Sequence, residues 1–245
     1  MTQLIARRLR DAGFYSEIVP STSDCNEYIE KKPKGIILSG GPDSVTNTYT
    51  PRVPKIVFEL NIPILGICYG MQTLAEQMGG QVISADQKEF GYAELKINNE
   101  SVLFSDLQKS LNVWMSHGDK VVKLPKQFKR IASSTNSKIA AIASNDGQRF
   151  GVQFHPEVSH TDQGQKILSN FALDVCGCKK NWTSKNIIDD LVQSIKDQVG
   201  KKHVLLGLIL KVFLGIFHTK LFLIKLQFLL SFLQSAVYIA NQNQG

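Results

Sequence analysis

Short apolar runs alternate with amphipathic stretches over the first eighty residues. Residues 35–39 (Gly-Ile-Ile-Leu-Ser) and 63–67 (Pro-Ile-Leu-Gly-Ile) are compact apolar segments next to turn-forming residues. Such runs are typical of strands that are buried on both faces. Residues 2–12 and 51–60 have apolar positions at helical spacing and predict flanking helices. This alternation predicts an α/β class of fold, a mainly parallel sheet with flanking helices.

The rest of the pattern completes this outline. We predict a strand at 16–20, a helix at 22–31 and a helix that begins at Cys68. Between Gln81 and Phe154 the pattern is that of strands, at 81–84, 92–97, 112–116, 130–134, 139–144 and 149–154. A helix over 162–175 follows. The predicted organisation is one domain over residues 1–178, a linker and polar helix over 179–202, and an apolar tail over 203–245.

The net charge of +7 raises the question of nucleic-acid binding. Five lysines and no acidic residue follow Gly200, so the first 200 residues carry 23 basic and 21 acidic side chains. The main domain is therefore nearly neutral, and it has no basic stripe with interleaved aromatic residues. We expect no nucleic-acid partner.

The four cysteines are Cys25, Cys68, Cys176 and Cys178. Their spacing does not match a zinc site, because the one-residue gap between the last two is followed by no second ligand pair. Residues 1–8 lack the apolar core and cleavage site of a secretory signal. We therefore expect no metal and a cytoplasmic location, where thiols remain reduced.

The segment Gly66-Ile-Cys68-Tyr-Gly70 lies at a strand-to-helix junction. It has the arrangement of a nucleophile between glycines, with sulfur as the nucleophilic atom. The glycines let the main chain turn sharply, and the N-terminus of the following helix favours a thiolate. A cysteine in a buried strand could also have a purely structural role, so a second feature is needed to decide.

The second feature is Gly151-Val-Gln-Phe-His155-Pro-Glu157 at the end of a strand. A thiolate nucleophile needs a base that accepts and returns a proton, and the base needs an acceptor that orients its ring. His155 and Glu157 can provide both from one turn. Taken alone the segment would be a strand-end turn, but together with Cys68 it predicts a catalytic triad of Cys68, His155 and Glu157.

The third feature is the loop Ser39-Gly-Gly-Pro-Asp43 after the first buried strand. Acyl transfer from a carboxamide requires main-chain N–H groups that face the developing oxyanion. Tyr69, directly after the nucleophile, and Gly41 are the predicted donors. By itself the loop indicates only a turn.

These three motifs together resemble the triad-type (class I) glutamine amidotransferases, and the resemblance covers residues 2 to about 176. It implies a flavodoxin-like, mainly parallel sheet with flanking helices. Residues 2–8 (Thr-Gln-Leu-Ile-Ala-Arg-Arg), 37–42 and 114–121 (Trp-Met-Ser-His-Gly-Asp-Lys-Val) are similar to the amidotransferase domain of the GMP synthase family in particular. Residues 204–208 resemble the first strand of the ATP-pyrophosphatase domain of that family.

The resemblance implies that Cys68 attacks the side-chain amide of glutamine and that the resulting thioester is hydrolysed, releasing glutamate and ammonia. It also implies substrate contacts from Gln72, Ser116, Gly118 and Asp119. Without the resemblance, residues 116–119 would be interpreted as a polar turn.

The family also implies partners and cofactors. Ammonia would aminate XMP to GMP only with a synthetase domain, and ATP and Mg²⁺ belong to that domain, so no cofactor is expected for the glutaminase domain. The Ser-Gly-Gly-Val-Asp-Ser type of loop that holds pyrophosphate in the family does not follow Leu208 here. We expect the homodimer contacts of the family to be lost with it.

A further departure is at the N-terminus. The family has an apolar strand before the segment that matches residues 2–8, so we expect the first strand to be missing and two sheet edges to be unpaired. Each edge residue would forgo ladder hydrogen bonds and apolar burial, so we expect a loss of stability.

The apolar tail leaves three hypotheses open. Lysines at 211, 220 and 225 interrupt the apolar segment, which is too short and too polar for a membrane span. A frameshifted tail on an inactive remnant, an active glutaminase, and a membrane-tethered chain that serves a separate synthetase all remain possible. We expect the tail to dock poorly on the domain and no membrane partner.

Overall fold

The computed structural model describes residues 1–24, 31–183, 208–213, 216–221 and 235–239, together with isolated helical positions between these ranges. The predicted helix at 22–31 and the predicted polar helix before residue 203 lie only partly within the described residues, and Cys25 lies outside them. The chain forms two compact units, one of residues 1–182 with 234–245 and the other of residues 183–233.

The first unit contains four α-helices and nine strands among the described residues. Its helices are α1 (Thr2–Asp11), α2 (Lys55–Glu59), α3 (Tyr69–Gln77) and α4 (Gly164–Asn170). Its strands along the main domain are β1 (Ser16–Pro20), β2 (Gly35–Leu38), β3 (Ile64–Ile67), β4 (Gln81–Ile97), β5 (Ser110–Lys123), β6 (Phe128–Ser133), β7 (Ala141–Ser144) and β8 (Arg149–Val152). The tail contributes β9 (Leu208–Phe213) and β10 (Ile216–Leu221), an antiparallel pair in the second unit, and β11 (Ser235–Ile239) in the first.

The sheet of the first unit has nine strands in the order β1-β11-β2-β3-β8-β7-β6-β4-β5. The α/β class and the flanking helices are confirmed. The sheet is mixed and not mainly parallel: among its described strands, the pairs β2–β3 and β3–β8 are parallel and the other pairs are antiparallel. The strands between residues 81 and 152 follow one another through short connections, and such connections join antiparallel strands.

Both faces of the central strands are covered. Along β2, Ile37 packs with α1 and α4 in one buried cluster, whereas Ile36 and Leu38 pack with α3 in another. Successive side chains of a strand point to opposite faces, so the two clusters lie on the two sides of the sheet. Helix α1 contributes Ile5, Ala6 and Leu9 to the first cluster.

Several element boundaries differ from the prediction. Helix α2 is shorter than predicted because Pro54 is its N-cap and the chain before Pro54 is extended. The strands predicted at 81–84 and 92–97 are parts of one strand, β4, which pairs with β5 and has a register shift between Ser84 and Glu89. The helix predicted over 162–175 begins at Gly164, and its last turn, Phe171–Val175, is π-helical.

The expectation of two unpaired sheet edges is wrong. Strand β11 lies between β1 and β2 and pairs antiparallel with both, with Val237 opposite Ile18 on one side and Ile37 on the other. For these residues the expected poor docking of the tail is wrong as well. Two reasons explain this pairing. The facing edges of β1 and β2 present N–H and C=O groups that a strand of either direction can satisfy. Residues 236–239 (Ala-Val-Tyr-Ile) also have high β-propensity.

Across the part of the chain that the structure describes, no helix combines the length and the apolar character that a membrane crossing requires.

Replacing Val237 tests the pairing of β11. Val237→Pro removes a main-chain N–H at the centre of a strand that is paired on both sides, and we expect the Tm to fall by about 5–10 °C. Val237→Thr keeps the N–H and the β-branch, so its Tm should stay within about 3 °C of the wild type. Differential scanning calorimetry of the full chain makes the comparison. Equal melting temperatures for the two variants would contradict the position of β11.

Candidate active site

Cys68 lies in a tight turn between β3 and α3. Its φ of 54° and ψ of −110° are strained for a residue with a side chain. The flanking glycines are required by contact distances: a Cβ on Gly66 would lie 2.5 Å from the carbonyl of Gly70, and a Cβ on Gly70 would lie 2.1 Å from the carbonyl oxygen of Leu38. The turn therefore holds the sulfur at the carboxyl end of the parallel strands, where the side chain is 5% exposed.

His155 follows β8, the strand next to β3. Its main-chain N–H donates to the carbonyl of Trp114 (3.0 Å), and its carbonyl accepts from the hydroxyl of Thr161 (2.6 Å). Its imidazole Nδ1 lies 2.9 Å from Oε1 of Glu157, and the sulfur of Cys68 is close enough to raise the pKa of the ring. The structure thus brings the three predicted triad residues into one contact chain, all of them buried.

The protonation of His155 reflects these contacts. Burial alone lowers the pKa of His155, but the hydrogen bonds to Cys68 and Glu157 and the charges of both groups outweigh it and raise this pKa to about 10. The imidazole is therefore a cation at neutral pH, as an acid that protonates a leaving amine must be.

Glu157 is fully buried, and few groups satisfy its carboxylate. Its Oε2 has no hydrogen-bond partner among the described residues, while its main-chain carbonyl accepts from Nε of Arg8 at 2.9 Å. A buried carboxylate without further donors is stabilised mainly by a nearby cation. The negative charge of Glu157 and the positive charge of the imidazole therefore stabilise each other.

A cavity of about 340 Å³ opens beside Cys68. Every predicted oxyanion-hole and substrate-binding residue lines it: Gly41, Tyr69, Gln72, Ser116, Gly118 and Asp119. The remaining lining includes Ser44, Ser84, Lys88 and Phe90. Within the described ranges, no group of three or more His, Cys, Asp or Glu side chains is placed to hold a metal ion.

The predicted oxyanion donors lie next to the sulfur. Tyr69 is the first residue of α3, and the N–H groups of a first helical turn have no intrahelical acceptor. The glycine loop after β2 packs against Cys68 and His155, since a Cβ on Gly40 would lie 3.5 Å from the Cβ of Cys68 and 3.2 Å from Cε1 of His155. Gly41 follows in the wall of the cavity. Main-chain N–H groups from two strand ends can therefore approach a carbonyl that is attacked by the sulfur.

Asp119 and Gln72 are buried in the wall of the cavity. The Asp119 carboxylate accepts from the hydroxyl of Ser84 (3.0 Å) and from the hydroxyl of Ser44. The amide nitrogen of Gln72 donates to the main-chain carbonyl of Asp119 (2.9 Å) and to Oε1 of Gln153 (3.3 Å). Because the NH₂ group of Gln72 donates to acceptors within the protein, the side-chain carbonyl oxygen of Gln72 is the atom available to a ligand in the cavity. The Asp119 carboxylate offers negative charge with neutral donors around it.

Residues 116–119 form part of β5 and are not a polar turn. The carbonyl of Ser116 accepts from the thiol of Cys68 at 3.5 Å. The next residue, His117, is buried and contacts Glu89 through Nε2 (3.1 Å) and the carbonyl of Asp119 through Nδ1 (2.9 Å). The contact between His117 and Glu89 links β5 to β4 next to the cavity.

The sequence did not predict His117, Gln153 or the further lining residues Ser44, Ser84, Lys88 and Phe90. A signal for Gln153 is present, because it precedes His155 by two positions and alternate residues of an extended chain face the same side. The sequence does not indicate that His117 is buried. Its neighbours were predicted only as substrate contacts, and its partner Glu89 is 28 positions away in the chain.

The motifs that meet at this site are shared with known proteins. Residues 1–175 match the family model described as glutamine amidotransferase class-I. The curated GMP synthase (glutamine-hydrolysing) of Vibrio cholerae is 52% identical over 207 residues, and that of Aliivibrio fischeri is 51% identical. In both, the match covers 84% of this chain and 40% of the relative, so the chain spans well under half the length of these relatives.

A solved structure is similar over more of its length. It is a Thermoplasma acidophilum protein assigned as a GMP synthase subunit, with a TM-score of 0.64 and 31% sequence identity. The match covers 77% of this chain and 92% of that protein.

Replacing Glu157 tests the electrostatics of the site. Glu157→Gln removes the charge beside the imidazole, and we expect the pKa of His155 to fall by about 1–3 pH units, as followed by NMR titration of the ring. Because this pKa is raised above its ordinary value of 6.5, the stabilisation it reflects is complete below pH 6.5 and is lost as the pH rises to about 10. The difference in unfolding free energy between wild type and variant should shrink over that window.

Glu100→Gln is the control, because Glu100 is an exposed glutamate away from the site. It should leave the titration of His155 unchanged. A His155 titration that is the same in the Glu157→Gln variant and in the wild type would contradict the coupling.

Proposed function

This chain belongs to the class I glutamine amidotransferase family, and we propose that it hydrolyses the side-chain amide of glutamine to glutamate and ammonia with Cys68, His155 and Glu157 as catalytic residues. One observation carries the proposal. A cysteine in a strained strand-to-helix turn contacts a buried cationic imidazole, that imidazole contacts a buried carboxylate, and the sulfur opens on a polar cavity.

The reaction follows from the protonation states. The Cys68 thiolate attacks the carboxamide carbon, and a tetrahedral intermediate forms with negative charge on the oxygen. His155 gives its proton to the amide nitrogen, the C–N bond breaks, and ammonia leaves with a glutamyl thioester on the sulfur. The imidazole then takes a proton from water, whose hydroxide displaces the sulfur and releases glutamate. Loss of the sulfur restores the Cys68 thiolate beside the protonated imidazole, so the enzyme is regenerated, and the new carboxylic acid of glutamate gives its proton to the solvent.

Two groups lower the barrier without exchanging protons. The N–H groups of Tyr69 and Gly41 would stabilise the oxyanion, an effect worth about 3 kcal/mol for one donor in comparable sites. Glu157 holds the Nδ1 side of the imidazole, so the opposite nitrogen faces the sulfur and the leaving group. The buried position of the carboxylate makes this charge effective, because little water screens it.

The cavity fits an amino acid substrate. The Asp119 carboxylate suits the α-ammonium group of glutamine, since it carries charge and its serine partners leave lone pairs free. The carbonyl oxygen of Gln72 and the main chain at Ser116 and Gly118 would contact the rest of the amino acid. We propose these four residues as the substrate contacts.

The names of the relatives support a wider role. We propose that the ammonia serves the conversion of XMP to GMP by a synthetase partner, because the Vibrio cholerae relative is a glutamine-hydrolysing GMP synthase. The Thermoplasma acidophilum protein, assigned as one subunit of a GMP synthase and matched over 92% of its length, supports an amidotransferase that acts as a separate chain. ATP and Mg²⁺ would belong to the synthetase partner, and the glutaminase would need no cofactor. We also propose a cytoplasmic location, because a reducing compartment suits the free thiols at Cys68, Cys176 and Cys178.

Ammonia release from glutamine tests the triad. Cys68→Ala and Cys68→Ser should lose more than about 99% of the rate, and His155→Ala should be nearly as severe, because the members of a triad act as a unit. Glu157→Gln should be milder, with a loss of about tenfold to a hundredfold, because a base remains. Cys176→Ala is the matched control, a buried cysteine outside the cavity, and should keep the wild-type rate. More than a few per cent of the rate in Cys68→Ala would exclude this cysteine as the nucleophile.

GMP formation tests the wider role. With XMP, ATP, Mg²⁺ and glutamine, we expect GMP only when the synthetase part of a relative is added in trans, because residues after Leu208 offer no glycine-rich loop for phosphates. The Cys68→Ala chain should support no GMP from glutamine, while added ammonium salt restores it through the synthetase. Formation of GMP by the chain alone would contradict the proposal.

A further inference from the structure

Gln153 is a buried polar residue that the mechanism above does not use. It follows the last residue of β8, its side chain is 0% exposed, and its main-chain N–H donates to the carbonyl of Ala140 at 2.9 Å. Its side-chain amide lies between two groups of the site. The Nε2 atom is 3.8 Å from the sulfur of Cys68, and Oε1 accepts from Gln72 at 3.3 Å.

The direction of this amide is fixed by its neighbours. The Gln72 side chain donates to the main-chain carbonyl of Asp119, which can only accept, so its NH₂ group must face that side. The same NH₂ group donates to Gln153, which therefore presents its oxygen to Gln72 and its own NH₂ to the sulfur. With the amide reversed, two donors would face each other in a buried site, at a cost in free energy.

The sulfur of Cys68 has a second polar neighbour of opposite character. The carbonyl of Ser116 lies 3.5 Å away and accepts from the thiol. This carbonyl stabilises the protonated sulfur and repels the thiolate. A donor is required on another side if the buried thiolate is to be favoured, since a buried charge needs hydrogen bonds.

We propose that Gln153 is a positioning residue for the amide-hydrolysing nucleophile: its side-chain NH₂ donates to the Cys68 thiolate and holds the sulfur between His155 and the cavity. This inference rests on the nucleophilic role proposed for Cys68. The hydrogen bond from Gln72 polarises the Gln153 amide, which strengthens its donation to the sulfur. A chain of donors thus runs from the substrate cavity to the reactive atom.

Two substitutions of similar size separate the donor from the volume of the side chain. Gln153→Met removes both polar groups, and Gln153→Glu keeps an acceptor for Gln72 but replaces the donor by a negatively charged oxygen. Gln77→Met is the matched control, because the amide of Gln77 bonds the main chain of Val53 away from the sulfur. All variants are made in the full chain and compared by circular dichroism and melting temperature.

The main readout is the rate at which iodoacetamide alkylates Cys68, followed by mass spectrometry across pH 5–10 without glutamine. For Gln153→Met we expect the midpoint of the alkylation profile to rise by about one pH unit and the rate at neutral pH to fall about tenfold. Gln153→Glu should shift the profile further, because its charge repels the thiolate. In the glutaminase assay kcat should fall about tenfold while KM stays within about threefold. Gln77→Met should change only the melting temperature.

The outcomes distinguish this inference from the proposed function. Profiles and kcat values that match the wild type in both Gln153 variants would overturn the positioning role, while an inactive Cys68→Ala would leave the proposed function standing. Ammonia release by Cys68→Ala would instead overturn the proposed function. Unfolding of both Gln153 variants would also count against the proposal, because a residue whose role is to hold the sulfur should not be required for the fold.

Discussion

The close approach of the Cys68 turn to β2 is the constraint on which the site depends. Gly70 lies so near the carbonyl of Leu38 that no side chain fits between them. This contact places the start of α3 against the end of the neighbouring parallel strand. As a result, the cysteine, the first helical N–H groups and the glycine loop after β2 meet at one point, and the strained φ of Cys68 aims the sulfur at His155 and the cavity.

Electrostatics in this buried volume link the groups to one another. Glu157 has one oxygen without a partner among the described residues, and the nearest cation is the imidazole of His155. That imidazole is held charged by the carboxylate and by the sulfur, against the effect of burial. Around the sulfur, the Gln153 amide is a hydrogen-bond donor and the Ser116 carbonyl is an acceptor. The reactivity that we propose for Cys68 therefore depends on its neighbours and on their exclusion from water.

The parallel and the antiparallel parts of the sheet contribute different parts of the site. Its parallel centre, β2, β3 and β8, carries the proposed triad and the glycine loop at one end. The antiparallel strands β4 and β5 form a wall of the cavity with Ser84 and residues 116–119. On the far side of β2, β11 fills the space between two strands that would otherwise have open edges. The backbone of β11 satisfies these edges while running in the opposite direction to β2.

The sequence alone determined the local features. Glycines around Cys68, the spacing of His155 and Glu157, and the apolar runs of β2 and β3 each follow from short-range sterics and periodicity, so the α/β class and the family followed from the residues. Tertiary structure decided what depends on residues far apart in the chain. Partners up to some 220 positions away decide four features of the structure. These are the antiparallel direction of the strands after residue 81, the insertion of β11, the burial of His117 against Glu89 and the direction of the Gln153 amide. No local pattern encodes such pairings, because hydrogen bonds across a sheet and within a buried network are chosen by what remains unsatisfied once the core has packed.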